Sequence, residues 1–490
     1  MKPFIKQISY WLGILACSWT MYSCSESFLD VPPQNEQTPE DKLSTNEAAA
    51  QVVNAIYNKL LDWNQHTFAW IGITSITSDD ADKGSVPGDT GTDKNLLDNF
   101  TFSVDAVSFN EVWVANYQGI ARANQALKVI PDFTIEERVK NRLMGEARFL
   151  RAYFYFNLVR SFGGVPLIEK IPDPTNTQEL EQARTRASKE QIYQLIINDL
   201  QFAIENLYPK SELGPEDVGR ATVGAAKTFL AKVNMYLNNW SEVSRLTNEV
   251  ISSGEYALVD DYATIWREVG ENSVESIFEV QGRGDTPNKG LQGYTATQGV
   301  RGQFGWGFNT PTEDLANTYE VGDTRKEATI IFPGETLWDG VEIITDVPNP
   351  YYNQKAYISR VQETFNGNDW ESNKNLRVFR FAEVLLMNAE AANELGMDAL
   401  TSLNLVRDRA KLAPVNETDP NKLRKIIWHE RRVELAFEHD RFFDLVRQGR
   451  AGEVLRAHGK NFVDGKHELF PIPQSQINLS EGKLLQNPGY

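Results

Sequence analysis

LMGEARFLRAYFYFNLVRSFGGVPLI, residues 143–168, has the period of a helix from Leu143 to Phe162. Leu143, Ala147, Leu150, Phe154 and Leu158 recur every three or four residues on one face. Phe149, Ala152, Tyr153, Phe156 and Val159 line a second face. A helix apolar on both sides belongs inside a packing of other helices rather than on a surface. Glu146, Arg148, Arg151 and Arg160 lie on the same stretch and need partners there, because a buried charge stripped of its partner costs about 3–5 kcal/mol. Gly163 and Gly164 end the helix and Pro166 prevents its return.

Helical patterns continue on both sides. Asn46 to Trp63 has Ala49, Val53, Ile56 and Leu60 on one side, with Asn46 as the expected cap. Asn110 to Val129, Ser188 to Leu207, and the two stripes on either side of Asn238-Asn239-Trp240 are further helices. Another pair runs from Val378 to Gly396 and from Asp398 to Ala410, and Asp419-Pro420 opens a helix read as continuous to Leu445. Short helices joined by tight turns resemble tetratricopeptide units. The fold class is therefore mainly α, a scaffold of helix pairs.

Two regions break this rhythm. Residues 64–108 read as a long loop around Thr77-Ser-Asp-Asp-Ala-Asp-Lys-Gly84, and residues 271–372 hold eight glycines between Gly282 and Gly307, interspersed with aromatic residues. Loops held by a rigid frame are where binding usually resides. Asp79, Asp80, Asp82 and Lys83 offer acceptors and donors suited to sugar hydroxyls. The alternatives for them are a solvated turn, or a calcium site lacking the spaced ligands of the helix-loop-helix type. Tyr294, Trp306 and Phe308 are the aromatic candidates, since pyranose C–H faces pack on such rings and glycine-rich loops rarely build cores. Trp63, Trp113, Trp240 and Trp266 are assigned to packing.

The chain has 49 basic and 67 acidic residues, a net charge of −18, which disfavours nucleic acid as a partner. Its five histidines form no metal-binding pair or cluster, so no metal or cofactor is expected. Arg283-Gly284-Asp285 reads as a turn, and Gly302-x-x-Gly305-x-Gly307 lacks the dinucleotide spacing. No nucleophile elbow appears, which argues against hydrolase chemistry. Both cysteines, Cys17 and Cys24, are near the N-terminus. Lys2 and Lys6 precede a short apolar run, Trp11 to Trp19, shorter than the roughly 20 residues a membrane span needs. Residues 1–23 thus read as a secretory leader and 24–44 as a Pro-containing tether; by itself Ile14-Leu15-Ala16-Cys17 is nearer a lipidation pattern, and lipidation at Cys24 is what the family resemblance below implies.

The same chain resembles the SusD/RagB family of outer-membrane nutrient-binding lipoproteins. The resemblance rests on Cys24-Ser-Glu-Ser-Phe-Leu-Asp30, Trp113-x-x-x-Tyr117-x-x-Ile120-x-Arg122-Ala-Asn124, Glu146-Ala-Arg-Phe-Leu-Arg-Ala-Tyr153 with Gly163-Gly-Val-Pro166, Gly219-Arg-Ala221, Arg380 to Glu390, Glu430-Arg-Arg with Glu434, Arg441-Phe-Phe-Asp-Leu445, and the ending Gln486-Asn-Pro-Gly-Tyr490. It departs in the residues before Cys24 and in His439, which stands where a glycine is common. It implies four tetratricopeptide-like helix pairs within a body spanning 45–490, with a C-terminal segment from 461. It also implies a surface-exposed, lipid-anchored lid on a SusC-type TonB-dependent transporter, binding an oligosaccharide without catalysis. A protein-interaction scaffold and a peptide-binding lipoprotein are the alternative functions.

Overall fold

The computed structural model describes residues 45–490; Cys17, Cys24, the leader and the tether lie outside the described residues. Its principal helices are α1 (Asn46–Tyr57), α2 (Val107–Val129), α3 (Glu137–Phe162), α4 (Lys189–Asn206), α5 (Val223–Tyr236), α6 (Trp240–Ser252), α7 (Phe381–Glu394), α8 (Leu400–Arg409) and α9 (Pro420–Leu435). Four helix pairs are neighbours, in the number the resemblance implies: α1 with α2, α3 with α4, α5 with α6, α7 with α8. Successive pairs also touch, through α2 and α3, α4 and α5, and α6 and α7. One large apolar core runs through all of them.

Helix α3 lies at the centre, with Phe149, Leu150, Phe154 and Leu158 fully buried. Gly119 on α2 permits the close approach of α3, because a methyl group there would come within 2.5 Å of the Phe154 ring. The charges on α3 find partners as anticipated. Glu146 accepts from Arg220 at 2.8 Å, Arg151 grips both oxygens of Asp199 at 2.8 Å, and Arg160 donates to Asp440 at 2.9 Å. Gly163 closes the helix at φ +75°.

Three readings are corrected. Thr45, not Asn46, caps α1, its hydroxyl accepting the Ala48 amide at 3.1 Å. The helix read as continuous to Leu445 stops at Leu435. The chain turns through Phe437 and His439, both at positive φ, before a separate helix, Arg441–Arg447. Residues 64–108 are not an open loop. They form broken helical turns (Trp63–His66, Phe68–Ile71, Gly72–Ile76) and a short helix, Lys94–Asn99, with Trp70, Ile71, Ile73 and Ile76 buried in the main core. The polar residues Thr74, Ser75, Thr77 and Ser78 interrupt the apolar period, but their hydroxyls are satisfied: Thr74 and Thr77 bond carbonyls four residues back, Ser78 the Ser75 carbonyl, and Ser75 reaches His439.

The second region, 271–372, contains strands β2 (Ser276–Val280), β3 (Leu291–Gln292), β4 (Phe308–Pro311), β5 (Ile330–Ile331), β6 (Tyr352–Asn353) and β7 (Glu371–Ser372), preceded in the chain by β1 (Ala81–Gly84) and followed by β8 (Leu376–Arg380). They pair antiparallel as β1 with β4, β2 with β8, β3 with β7 and β5 with β6. A small separate core of Val300, Ile331, Leu337, Ile343, Tyr352 and Tyr357 supports this region. Arg325 fixes it to α9, donating to Glu434 at 3.1 Å and Glu430 at 2.6 Å, and the same two carboxylates accept from Arg380 on β8 at 3.0 Å and from Arg409 and Arg407 on α8 at 2.5 and 2.8 Å.

Candidate ligand-binding surface

The two irregular regions meet. Strand β1 of the first pairs with β4 of the second, Ala81 opposite Pro311 and Gly84 opposite Phe308. A second tie runs from the end of the first helical layer: the Trp63 amide donates to Gln292 Oε1 at 3.1 Å and the Thr67 hydroxyl to the Gln292 carbonyl at 2.7 Å. The β3–β7 pair, Gln292 opposite Glu371, then sets Trp370 beside Gly293, whose amide donates to the Trp370 carbonyl at 2.7 Å. Trp306 is placed by its amide on the Ala296 carbonyl at 2.7 Å, and by Arg301, which donates to the Trp306 carbonyl at 2.9 Å.

These constraints gather three indoles from distant parts of the chain. Trp63 and Trp370 are stacked, centroids 4.9 Å apart and 22° between planes. Trp306 stands edge-on to Trp63 at 6.0 Å and 63°, and tilted to Trp370 at 6.4 Å and 41°. Trp306 is 39% exposed and Trp370 40%, whereas most of the protein's large aromatic side chains are buried. Below them Phe68 packs against Trp63 at 5.7 Å and against Phe308 at 4.9 Å, with the Lys94 ammonium 4.1 Å from the Phe68 centroid. The surface offers apolar ring faces beside polar loop groups, the combination that holds a sugar ring by its C–H face and its hydroxyls.

The residues expected from sequence divide sharply. Trp306 is on this surface. Tyr294 and Phe308 support it from beneath: both are buried, and the Tyr294 hydroxyl lies 3.1 Å from His439 Nε2. Asp79 and Asp80 are corrected from ligand contacts to anchors. Asp79 is fully buried and gripped by Arg441 through two 2.7 Å bonds, with Arg432 at 3.0 Å, while Asp80 takes Arg432 Nε at 2.7 Å. Burial alone would raise the Asp79 carboxyl, but Arg441 and then Arg432 hold it well below the ordinary carboxylate range. Asp80 is raised, chiefly by burial. Lys83 is buried too, and its ammonium donates to the carbonyls of Val86 at 3.0 Å and Asp89 at 2.6 Å, shaping the loop that follows β1. Asp82 is exposed, with Asp98, Lys460 and His458 among its charged neighbours. Asp79, Asp314 and His458 bring donor atoms within 4.8 Å of one another, yet the guanidinium of Arg432 already engages both carboxylates, so this is an ion-pair network in its chemistry.

Sequence reasoning missed Trp63 and Trp370. Trp63 continues the apolar stripe of α1 by one more turn, which made it look like core. Trp370 follows Asn366-Gly367-Asn368-Asp369, the same glycine-neighbour context that singled out Trp306, and that signal could have found it.

A helical frame presenting partly exposed rings on a surface built by two irregular segments defines a binding protein. The chain belongs to the SusD/RagB family: a family model described as "SusD family" matches residues 249–490, and one described as "Starch-binding associating with outer membrane" matches 27–237. It is accordingly non-enzymatic. It is 25% identical to SusD-like protein P2 of Formosa agariphila, over 98% of this chain and 99% of that protein. Among solved structures it resembles a SusD-like protein of Bacteroides fragilis, TM-score 0.79 at 26% identity, covering 94% of this chain and all of that one. It also resembles a laminarin-binding SusD-like protein, TM-score 0.76 at 29% identity, covering 91% of this chain and all of the other. Among the described residues no helix is long and apolar enough to cross a membrane.

Proposed function

We propose that the protein binds an oligosaccharide at the outer cell surface and hands it to a SusC-like TonB-dependent transporter. The observation that carries the binding step is the convergence of Trp63, Trp306 and Trp370, with two of the three rings well exposed. A similar protein that binds laminarin supports a glycan as the ligand. Delivery requires release, so the dissociation constant falls in the micromolar to millimolar range, roughly −4 to −8 kcal/mol. The helix pairs contact the transporter while the ring surface faces the ligand, and diacylated Cys24 holds the protein in the outer membrane, since stable anchoring takes more than one acyl chain.

Affinity electrophoresis in gels cast with single polysaccharides tests the binding step. At least one polysaccharide retards the wild-type protein, and Trp306→Ala and Trp370→Ala abolish the retardation while melting temperature stays within a few degrees. Undiminished retardation of both variants would remove the ring surface from the binding site. Recovery of a TonB-dependent transporter with the detergent-extracted protein tests delivery, and radiolabelled acyl uptake lost in Cys24→Ala tests the anchor.

A further inference from the structure

The charges around the rings bear on which class of glycan can bind, an inference that rests on the ring surface being the binding site. We propose that the chain bound there is uncharged, a neutral polysaccharide rather than a uronate- or sulfate-bearing one.

An anionic glycan is recognised by arginine or lysine groups free to form charge-assisted, often bidentate, bonds to carboxylate or sulfate oxygens. The cations near the rings in the chain are engaged, at least in part, within the protein, and carboxylates stand beside the rings, Asp62 before Trp63 and Asp369 before Trp370. Arg301, beside Trp306, spends one nitrogen on Ser85 Oγ at 2.6 Å and on the Trp306 carbonyl, with the Asp89 carboxylate 3.4 Å away. Arg360 donates to Asp369, the neighbour of Trp370, at 2.7 Å, and its guanidinium lies 5.1 Å from the ring centres of both Phe304 and Phe365. Lys59, below Trp63, pairs with Asp62 and donates to Gln118 at 2.7 Å. Lys289 donates to Asn58 at 2.6 Å, one residue from the Gly290 amide that holds the Glu371 carboxylate at 2.8 Å. Arg301, Arg360 and Lys59 thus each face a carboxylate, and Lys289 bonds an amide oxygen. A polyanion would meet the carboxylates of Asp62, Asp89 and Asp369 near the rings while approaching a protein of net charge −18. A neutral sugar carries no charge against them: its C–H face covers the indoles, and its hydroxyls find acceptors and donors already oriented in the loops.

The test runs wild type, Trp306→Ala and Trp370→Ala through gels containing neutral polysaccharides (laminarin, starch, galactomannan) or anionic ones (alginate, polygalacturonate, carrageenan), at 20 and 200 mM NaCl. The expected result is retardation by at least one neutral polysaccharide that is lost in both variants and changes less than twofold with salt, and no tryptophan-dependent retardation by any anionic one. Retardation by an anionic polysaccharide that disappears in Trp306→Ala and weakens several-fold at 200 mM salt would overturn the proposal while leaving the ring surface intact as the binding site. Binding that survives in both variants, or no binding to any of the six, would overturn both.

Discussion

Gly293 is the residue on which the ring surface turns. It sits at φ +64°, and a Cβ placed on it would lie 2.4 Å from Trp63 Cζ3 and 3.1 Å from Trp370 Cζ3. The missing side chain lets two indoles stack directly over the backbone that also hydrogen-bonds Trp370. Alanine at this position would carry the left-handed backbone penalty of about 1–2 kcal/mol and would push the Trp63 ring off its neighbour. Gly293→Ala is therefore expected to unfold about 1–3 kcal/mol more easily in urea and to lose at least fivefold in glycan affinity. Gly367→Ala, at φ +83° but with open space around it, supplies the control. It carries a comparable backbone penalty without the collision, so its glycan affinity should stay close to wild type. Equal losses of affinity in the two variants would show that the ring arrangement does not depend on the gap above Gly293.

At the scale of elements, the signature residues that make the family recognisable serve to pair the elements with one another. Glu146 meets Arg220, Arg380 meets Glu434, Glu390 meets Arg447, and Arg441 meets Asp79, all at 2.7–3.0 Å between segments far apart in sequence. Charges inside packing were legible from the pattern of α3, and so were the helix pairs, because 3.6-residue periodicity is a local property. The ligand surface was legible only in part, because it is assembled by cross-chain pairings, β1 with β4 and β3 with β7, that no local pattern records. The cluster Asp79-Asp80 misled for the same reason. Its arginine partners lie more than 350 positions later, so in sequence the carboxylates looked free. Their structural role makes a prediction opposite to that of a ligand role. Asp79→Ala strands Arg441 and part of the Arg432 network, and should cost about 3–5 kcal/mol in a denaturant titration. Glycan affinity of the fraction that remains folded should be within about threefold of wild type. A variant as stable as wild type but unable to bind glycan would restore Asp79 to the ligand site.

Across the whole molecule, the frame and the ring surface are joined by two buried histidines. His66, one turn after Trp63, lies 2.7 Å from both the Leu60 carbonyl and the Tyr153 hydroxyl. His439, at φ +69° in the turn after α9, reaches Tyr294 at 3.1 Å and Thr74 and Ser75 at 3.2 Å, so one imidazole links both ligand-bearing regions to the helical layer. Desolvation lowers both from an ordinary 6.5, His66 to about 4 and His439 to about 3. The backbone bond to Leu60 raises His66 and Arg160 lowers it; His66 and Arg160 further depress His439, while Asp440 opposes them. The unfolded chain takes up these protons below about pH 6.5 and the folded protein does not until near pH 4, so their stabilising contribution is complete above pH 6.5 and is lost as the pH falls toward 4. Glu271, raised to about 7 mainly by burial, works in the opposite direction over the same window, so the total stability is a poor readout. The difference between wild type and His439→Gln isolates the imidazole. Urea titrations at pH 7.0, 6.0, 5.0 and 4.5 should show the stability deficit of the variant shrinking by about 2–3 kcal/mol from the highest pH to the lowest, at about 1.4 kcal/mol per pH unit once below 6.5. His66→Gln should behave alike until the pH nears 4, where the folded protein begins to accept that proton. Parallel stability curves for wild type and His439→Gln across the range would mean that the ring is protonated equally easily in the folded and unfolded chain, and that burial between Tyr294 and the Thr74-Ser75 turn does not hold it neutral.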